Sequence, residues 1–213
     1  MLLALFLAVA SFVDWPVVTA NAAKAVPRLE MKVNGNYGVC SAVVFHIDKD
    51  GKAAALTAAH CVEHAPSVHF DLTVNDRHAD VVMFNNIFDL AIVTFRARGD
   101  HVIALAKTPP VMGAEVAILG YAFGVDDIVA QFGRIAQTYN RETKAMWINA
   151  DLIFGDSGGA VVDENGNLVG INSRIYSGGP NGQMAHLGAA VPLSFIEDCI
   201  DNYFKNIAAK DKK

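Results

Sequence analysis

Three residues of this chain, His60, Asp89 and Ser157, are of the types that together turn a hydroxyl into a nucleophile. A serine hydroxyl attacks poorly unless an imidazole takes its proton, and that imidazole needs a carboxylate to fix its tautomer and stabilise its charged form. Each stands at the edge of an apolar run: His60 closes "LTAAH", Asp89 opens "DLAIVTF", and Ser157 lies in "GDSGGAVV". Singly, each has an ordinary structural reading as a strand-end histidine, a turn cap and a tight turn before a hairpin. Written together, they predict acyl transfer through an activated serine.

The elements that must position them read as mostly β. Short apolar runs cut by turn signals begin near Asn34. Asp50-Gly51 and Asn165-Gly166 each separate two such runs, and we expect both pairs to supply the positive φ values of hairpin turns. "VVMF", "LAIVTF" and "EVAILGY" are further strands, and Pro109-Pro110 marks a boundary because consecutive prolines cannot continue a ladder. The chain therefore divides into two β units, with His60 and Asp89 in the first and Ser157 in the second. A cleft between them would bring the three together. At the C-terminus the period becomes helical, with Ile196, Cys199 or Ile200, Tyr203 and Ile207 on one stripe and Ser194 with Glu197 as a capping box. Cys199 reads as a small buried hydrophobe.

With 53% hydrophobic residues, 18% charged residues and a net charge of −5, the chain can bury a sizeable core and is a poor nucleic-acid partner. No Cys/His spacing resembles a zinc site, and no cofactor motif is present. The apolar run Met1 to Val13, followed by Ala20-Asn21-Ala22, predicts a signal peptide of residues 1–22, although no Lys or Arg precedes it. An uncleaved apolar anchor is the alternative. Export implies a secreted or periplasmic protein, with no stable membrane span after signal removal.

"LTAAHC", "FDLAIV" and "GDSGGAVV" resemble the three signature segments of the chymotrypsin-fold (trypsin-like) serine proteases. "GDSGGAVVDENGNLVGINS" and "LGAAVPLSFIEDCI" resemble most the HtrA-like bacterial branch, here without a PDZ domain. The resemblance implies two six-stranded antiparallel β-barrels, at about 30–105 and 112–191, and a C-terminal helix at 192–207, within a protease domain of residues 23–213. It implies Ser157 as nucleophile, His60 as general base and acid, Asp89 as orienting carboxylate, and the N–H groups of Gly155 and Ser157 as an oxyanion hole. It further implies a Cys40–Cys61 disulfide, which HtrA proteins generally lack. Activated trypsins bury a new N-terminus against the acid before the serine. No "IVGG"-like segment lies upstream here, so Asp156 must be paired otherwise or exposed.

For substrate, the resemblance gives conflicting advice. Asp151 stands where trypsins hold an acid at the base of the S1 pocket, with Ser173 and Gly188 at its wall and neck, which implies basic P1 residues. HtrA-like enzymes favour small aliphatic P1 residues, and Arg174 could neutralise Asp151 or repel a basic substrate. Peptides or unfolded proteins are the implied partners. A catalytically silent peptide-binding relative and a viral or phage precursor-processing protease are the competing functions.

Overall fold

The computed structural model describes residues 12–65, 70–176 and 187–210. Seven strands form the first unit: β1 (Arg28–Val33), β2 (Asn36–Ser41), β3 (Val43–Ile47), β4 (Lys52–Thr57), β5 (Phe70–Val74), β6 (Arg77–Asn85) and β7 (Leu90–Arg96). They lie in the order β2-β1-β5-β6-β7-β4-β3. The two end strands, β2 and β3, are separated in the chain by Ala42 alone. A sheet whose opposite edges are consecutive in sequence must curl until those edges meet, so the seven labels amount to a six-run half-closed barrel. The second unit is a closed six-stranded barrel, β10-β13-β12-β11-β8-β9. Its strands are β8 (Glu115–Gly120), β9 (Val129–Asn140), β10 (Ala145–Asn149), β11 (Ala160–Val162), β12 (Leu168–Tyr176) and β13 (Leu187–Pro192). Every pairing between these strands is antiparallel, as the resemblance implies.

Why the central strands look apolar throughout follows from the period of two. In β4, Ala53 and Ala55 face the interior of the first barrel while Ala54 and Leu56 face a core shared by both barrels. In β8, Val116 and Ile118 fill the second barrel while Ala117 and Leu119 join that shared core. Strands buried on both faces carry no polar alternation. The shared core also takes in Ile196, Cys199, Ile200 and Tyr203 of α2 (Leu193–Lys210), which follows β13 directly.

Several local expectations change. Only Gly51 and Gly166 have positive φ at the two expected hairpins, at +77° and +78°. In each loop an aspartate turns the chain instead: Asp48 accepts from the amides of Asp50 and Lys52, and Asp163 from those of Asn165 and Asn167. Among the described residues, two consecutive positive φ values occur at Asn34-Gly35, Asn75-Asp76 and Phe123-Gly124 instead. Helix α2 begins at Leu193, so Ser194 lies inside the first turn rather than capping it. Ile207 is exposed, because the helix runs on past the barrels.

Most of the apolar run Met1 to Val13 lies outside the described residues. The segment after it forms α1 (Trp15–Ala23), capped by Asp14, whose carboxylate accepts from the Val17 amide. This helix packs on β8, with Trp15 edge-on to Phe132 at 5.6 Å and Ala22 in the shared core. Cleavage after Ala22 would therefore remove a docked helix.

Candidate active site

His60 sits in a single 3-10 turn, Ala59–Cys61, at the end of β4, and Asp89 closes the turn that leads into β7. The pairing of β4 with β7 places these two chain ends side by side. His60 Nδ1 lies 2.9 Å from Asp89 Oδ2 and 3.0 Å from Oδ1, and the His60 amide donates to Oδ1 at 3.0 Å. An ionised carboxylate only accepts, so Nδ1 carries the proton and the neutral ring has its lone pair at Nε2. Asp89 is 4% exposed and has φ +53°, a left-handed conformation that aspartate tolerates better than most residues. Burial pushes its pKa up, but hydrogen bonds from His60 and Ser173 outweigh that, and the net direction is down. The charged form is thus held in place.

Ser157 comes from the other barrel. Its carbonyl accepts from the Ser41 amide at 2.8 Å, and Ser41 Oγ donates to the Gly155 carbonyl at 2.8 Å while accepting from the Tyr121 amide. Gly158, with φ +82°, sits so close to the first barrel that a β-carbon would come within 2.2 Å of the Ser41 carbonyl oxygen. Gly155, with φ +100°, would meet the Tyr121 carbonyl oxygen at 2.0 Å. The glycines of "GDSGG" therefore let a turn of one barrel press against the rim of the other and against its own neighbouring strand. The Ser157 hydroxyl donates to the Ser173 carbonyl at 3.3 Å. Among the described residues, no hydrogen bond is made by the Gly155 or Ser157 N–H groups.

Asp156 is buried, at 2% exposure. One oxygen, Oδ2, accepts from Gln131 Nε2 at 2.7 Å and from the Ile153 amide at 3.0 Å. The other, Oδ1, has no hydrogen-bond partner among the described residues. Burial pushes this carboxyl's pKa up. The amide of Gln131 takes the place that a cation would fill.

Ser173 and Gly188, expected with Asp151 at a specificity pocket, are both buried. Ser173 Oγ donates to Asp89 Oδ2 at 2.5 Å, and the Ser173 carbonyl accepts from Ser157 Oγ. Leu152 packs directly on Gly188: a β-carbon at 188 would lie 2.4 Å from Leu152 Cδ1. Asp151 is exposed. Arg174 lies against the acid of the site, with Nη2 3.7 Å from Asp89 Oδ2 and Nε 3.3 Å from Ser173 Oγ.

Cys40 and Cys61 are joined in a disulfide, which ties the His60 turn to β2. Their sulfurs lie near His60, but both are spent on each other and offer no metal ligand. Cys199 is a buried free thiol whose pKa burial raises to about 11. Sequence reasoning missed Ser41 and the aromatic pair behind Asp89. Phe88 stacks on Phe195 of α2 with centroids 4.0 Å apart, pinning the turn that carries Asp89 to the helix. A serine next to a cysteine and a phenylalanine next to an acid carry no signal of their own until the chain has folded.

Residues 40–171 match the family model described as a trypsin-like peptidase domain. The chain is 30% identical over 165 residues to a probable periplasmic serine endoprotease, DegP-like, of Halomonas elongata, covering 74% of this chain and 34% of that one. It is 25% identical over 173 residues to its counterpart in Buchnera aphidicola, covering 78% of this chain and 35% of that one. The chain thus spans about a third of the length of the curated relatives it matches. Among solved structures, a serine endoprotease from Yersinia pestis superposes with a TM-score of 0.73 at 21% identity, over 89% of this chain and 66% of that one. The HtrA-type protease AlgW, solved with a tripeptide, superposes with a TM-score of 0.69 at 25% identity, over 88% and 62%. With the family model covering well over half of the chain, including His60, Asp89 and Ser157, the chain belongs to the trypsin-like peptidase domain family.

Proposed function

We propose that this chain is a serine endopeptidase of HtrA-like type, with Ser157 as nucleophile, His60 as general base and acid, and Asp89 as the orienting carboxylate. The observation that carries the proposal is the His60–Asp89 pair, which fixes the tautomer that leaves Nε2 free to accept a proton. In the reaction, the Ser157 hydroxyl turns from the Ser173 carbonyl to His60. Oγ bonds to the substrate carbonyl carbon as its proton passes to Nε2. The C–N bond then breaks, with that proton going to the leaving amine. Water, deprotonated by His60, then attacks the acyl carbon; the ester C–Oγ bond breaks, the acid leaves and the proton on His60 returns to Ser157 Oγ. The N–H groups of Gly155 and Ser157 stabilise the oxyanion, each worth roughly 3 kcal/mol of barrier.

The substrates are peptides or unfolded proteins outside the cytoplasm, as the periplasmic description of the DegP-like relatives suggests. No helix among the described residues is long and apolar enough to cross a membrane. Leu152 beside Gly188 favours a small apolar P1 residue over a long basic one. Labelling with a fluorophosphonate tests the reading: the native chain reacts at Ser157, and Ser157→Ala neither reacts nor hydrolyses peptides while remaining folded. An unlabelled native chain would point to a silent peptide-binding relative instead.

A further inference from the structure

We infer that Arg174 recognises an acidic side chain of the substrate, close to the scissile bond and outside the P1 pocket; this rests on the serine endopeptidase reading above. Arg174 follows Ser173 on β12, and the Ser173 carbonyl is the hydrogen-bond acceptor of the nucleophilic hydroxyl. The Arg174 guanidinium lies beside the reacting groups, with Nε 3.3 Å from Ser173 Oγ and Nη2 3.7 Å from Asp89 Oδ2. The Arg174 side chain is 53% exposed, whereas that of the carboxylate it faces, Asp89, is only 5% exposed.

Its pairing with Asp89 is a weak resting position. The Nη2–Oδ2 separation of 3.7 Å is well beyond the 2.7–2.9 Å of a charge-assisted hydrogen bond. Asp89 has little need of it, since His60 N, His60 Nδ1 and Ser173 Oγ already donate to its two oxygens at 2.5–3.0 Å. A guanidinium carries five N–H donors in a planar fork that matches a carboxylate in bidentate fashion. A crowded, buried carboxylate cannot offer that geometry, and an incoming glutamate or aspartate with both oxygens open can.

Engagement has a second consequence. As Arg174 moves to the substrate, the Asp89 charge is left to His60, which stabilises the imidazolium formed when Ser157 attacks. An acidic substrate is therefore favoured in kcat as well as in KM.

The test uses short valine- and alanine-based peptides carrying one Glu, or Gln in its place, at each position in turn. Affinities are measured with Ser157→Ala protein and with Ser157→Ala/Arg174→Gln. At one position the Glu peptide binds about tenfold more tightly than the Gln peptide. The ratio falls to near one with Arg174→Gln and is partly restored by Arg174→Lys, and in the active chain kcat follows the same order. Equal behaviour of Glu and Gln peptides at every position overturns the inference, as does a Glu preference that survives Arg174→Gln. Fluorophosphonate labelling reports separately on the hydrolase reading, so labelling without a Glu preference rejects the arginine's role alone.

Discussion

Ser41 and Ser157 lock the two barrels together: the Ser41 amide donates to the Ser157 carbonyl at 2.8 Å, and the Ser41 hydroxyl reaches the Gly155 carbonyl two residues before it. The nucleophile's turn belongs to one barrel and its anchor to the other. Ser41→Ala would leave the Gly155 carbonyl and the Tyr121 amide without their buried partner. We expect a loss of about 1–3 kcal/mol of stability, read by urea denaturation, together with slower fluorophosphonate labelling. Labelling at the native rate would show that the turn holds its shape without this anchor.

Asp89→Asn keeps the shape of the acid but offers an amide where His60 Nδ1 needs an acceptor. Nδ1 can then become the bare nitrogen and Nε2 the protonated one, which is the wrong tautomer for a base. Hydrolysis should fall by roughly 10⁴-fold with the fold intact. Steady-state kinetics with circular dichroism on the same sample checks both halves.

Asp156 and Asp89 should impose opposite pH dependences on stability. Burial holds the folded-state pKa of Asp156 above its unfolded value, so stability falls as pH rises through the interval between the two, and the penalty is full above it. Asp89 has a lowered folded-state pKa, so its contribution is present above the unfolded value and is lost as pH falls through the folded one. Asp156→Asn presents an amide oxygen to Gln131 and Ile153 and removes the buried charge. The variant should therefore gain on the native chain in urea midpoint as pH is raised from 4 toward neutrality. A constant difference across that range would mean that the charge of Asp156 is compensated by another group.

Removing the Cys40–Cys61 bridge, by the double change Cys40→Ala/Cys61→Ala, opens a loop spanning 21 residues. Chain-entropy arguments put the loss at about 3 kcal/mol. Because Cys61 adjoins His60, activity should fall along with stability. Cys199 should resist alkylation in the folded protein, since burial holds its thiol protonated.

If the N-terminal segment directs export, processing should spare α1. Asp14 caps this helix, Trp15 packs on Phe132, and Ala22 lies in the shared core. Sequencing of the exported protein should therefore find an N-terminus before Trp15, whereas one at Ala23 would show that the barrels fold without the helix.

By itself, the sequence marked several of the strands, the mostly β character and His60, Asp89 and Ser157 as candidates; β1, β5, β9 and β10 were not legible in it. Strand periodicity, turn residues and nucleophile chemistry are local properties, written within a few neighbouring residues. It also carried the helical stripe of α2, because a buried face repeats at a fixed spacing. Only the tertiary structure decided what those residues touch. Ser173 turned to Asp89, Leu152 packed on Gly188, and Asp156 found Gln131. Ser41, Phe88 and Phe195 gained their positioning roles only when distant segments met. Each of these contacts joins residues from different elements, and which atoms fill a given space depends on how two barrels and a helix pack, which no local pattern encodes.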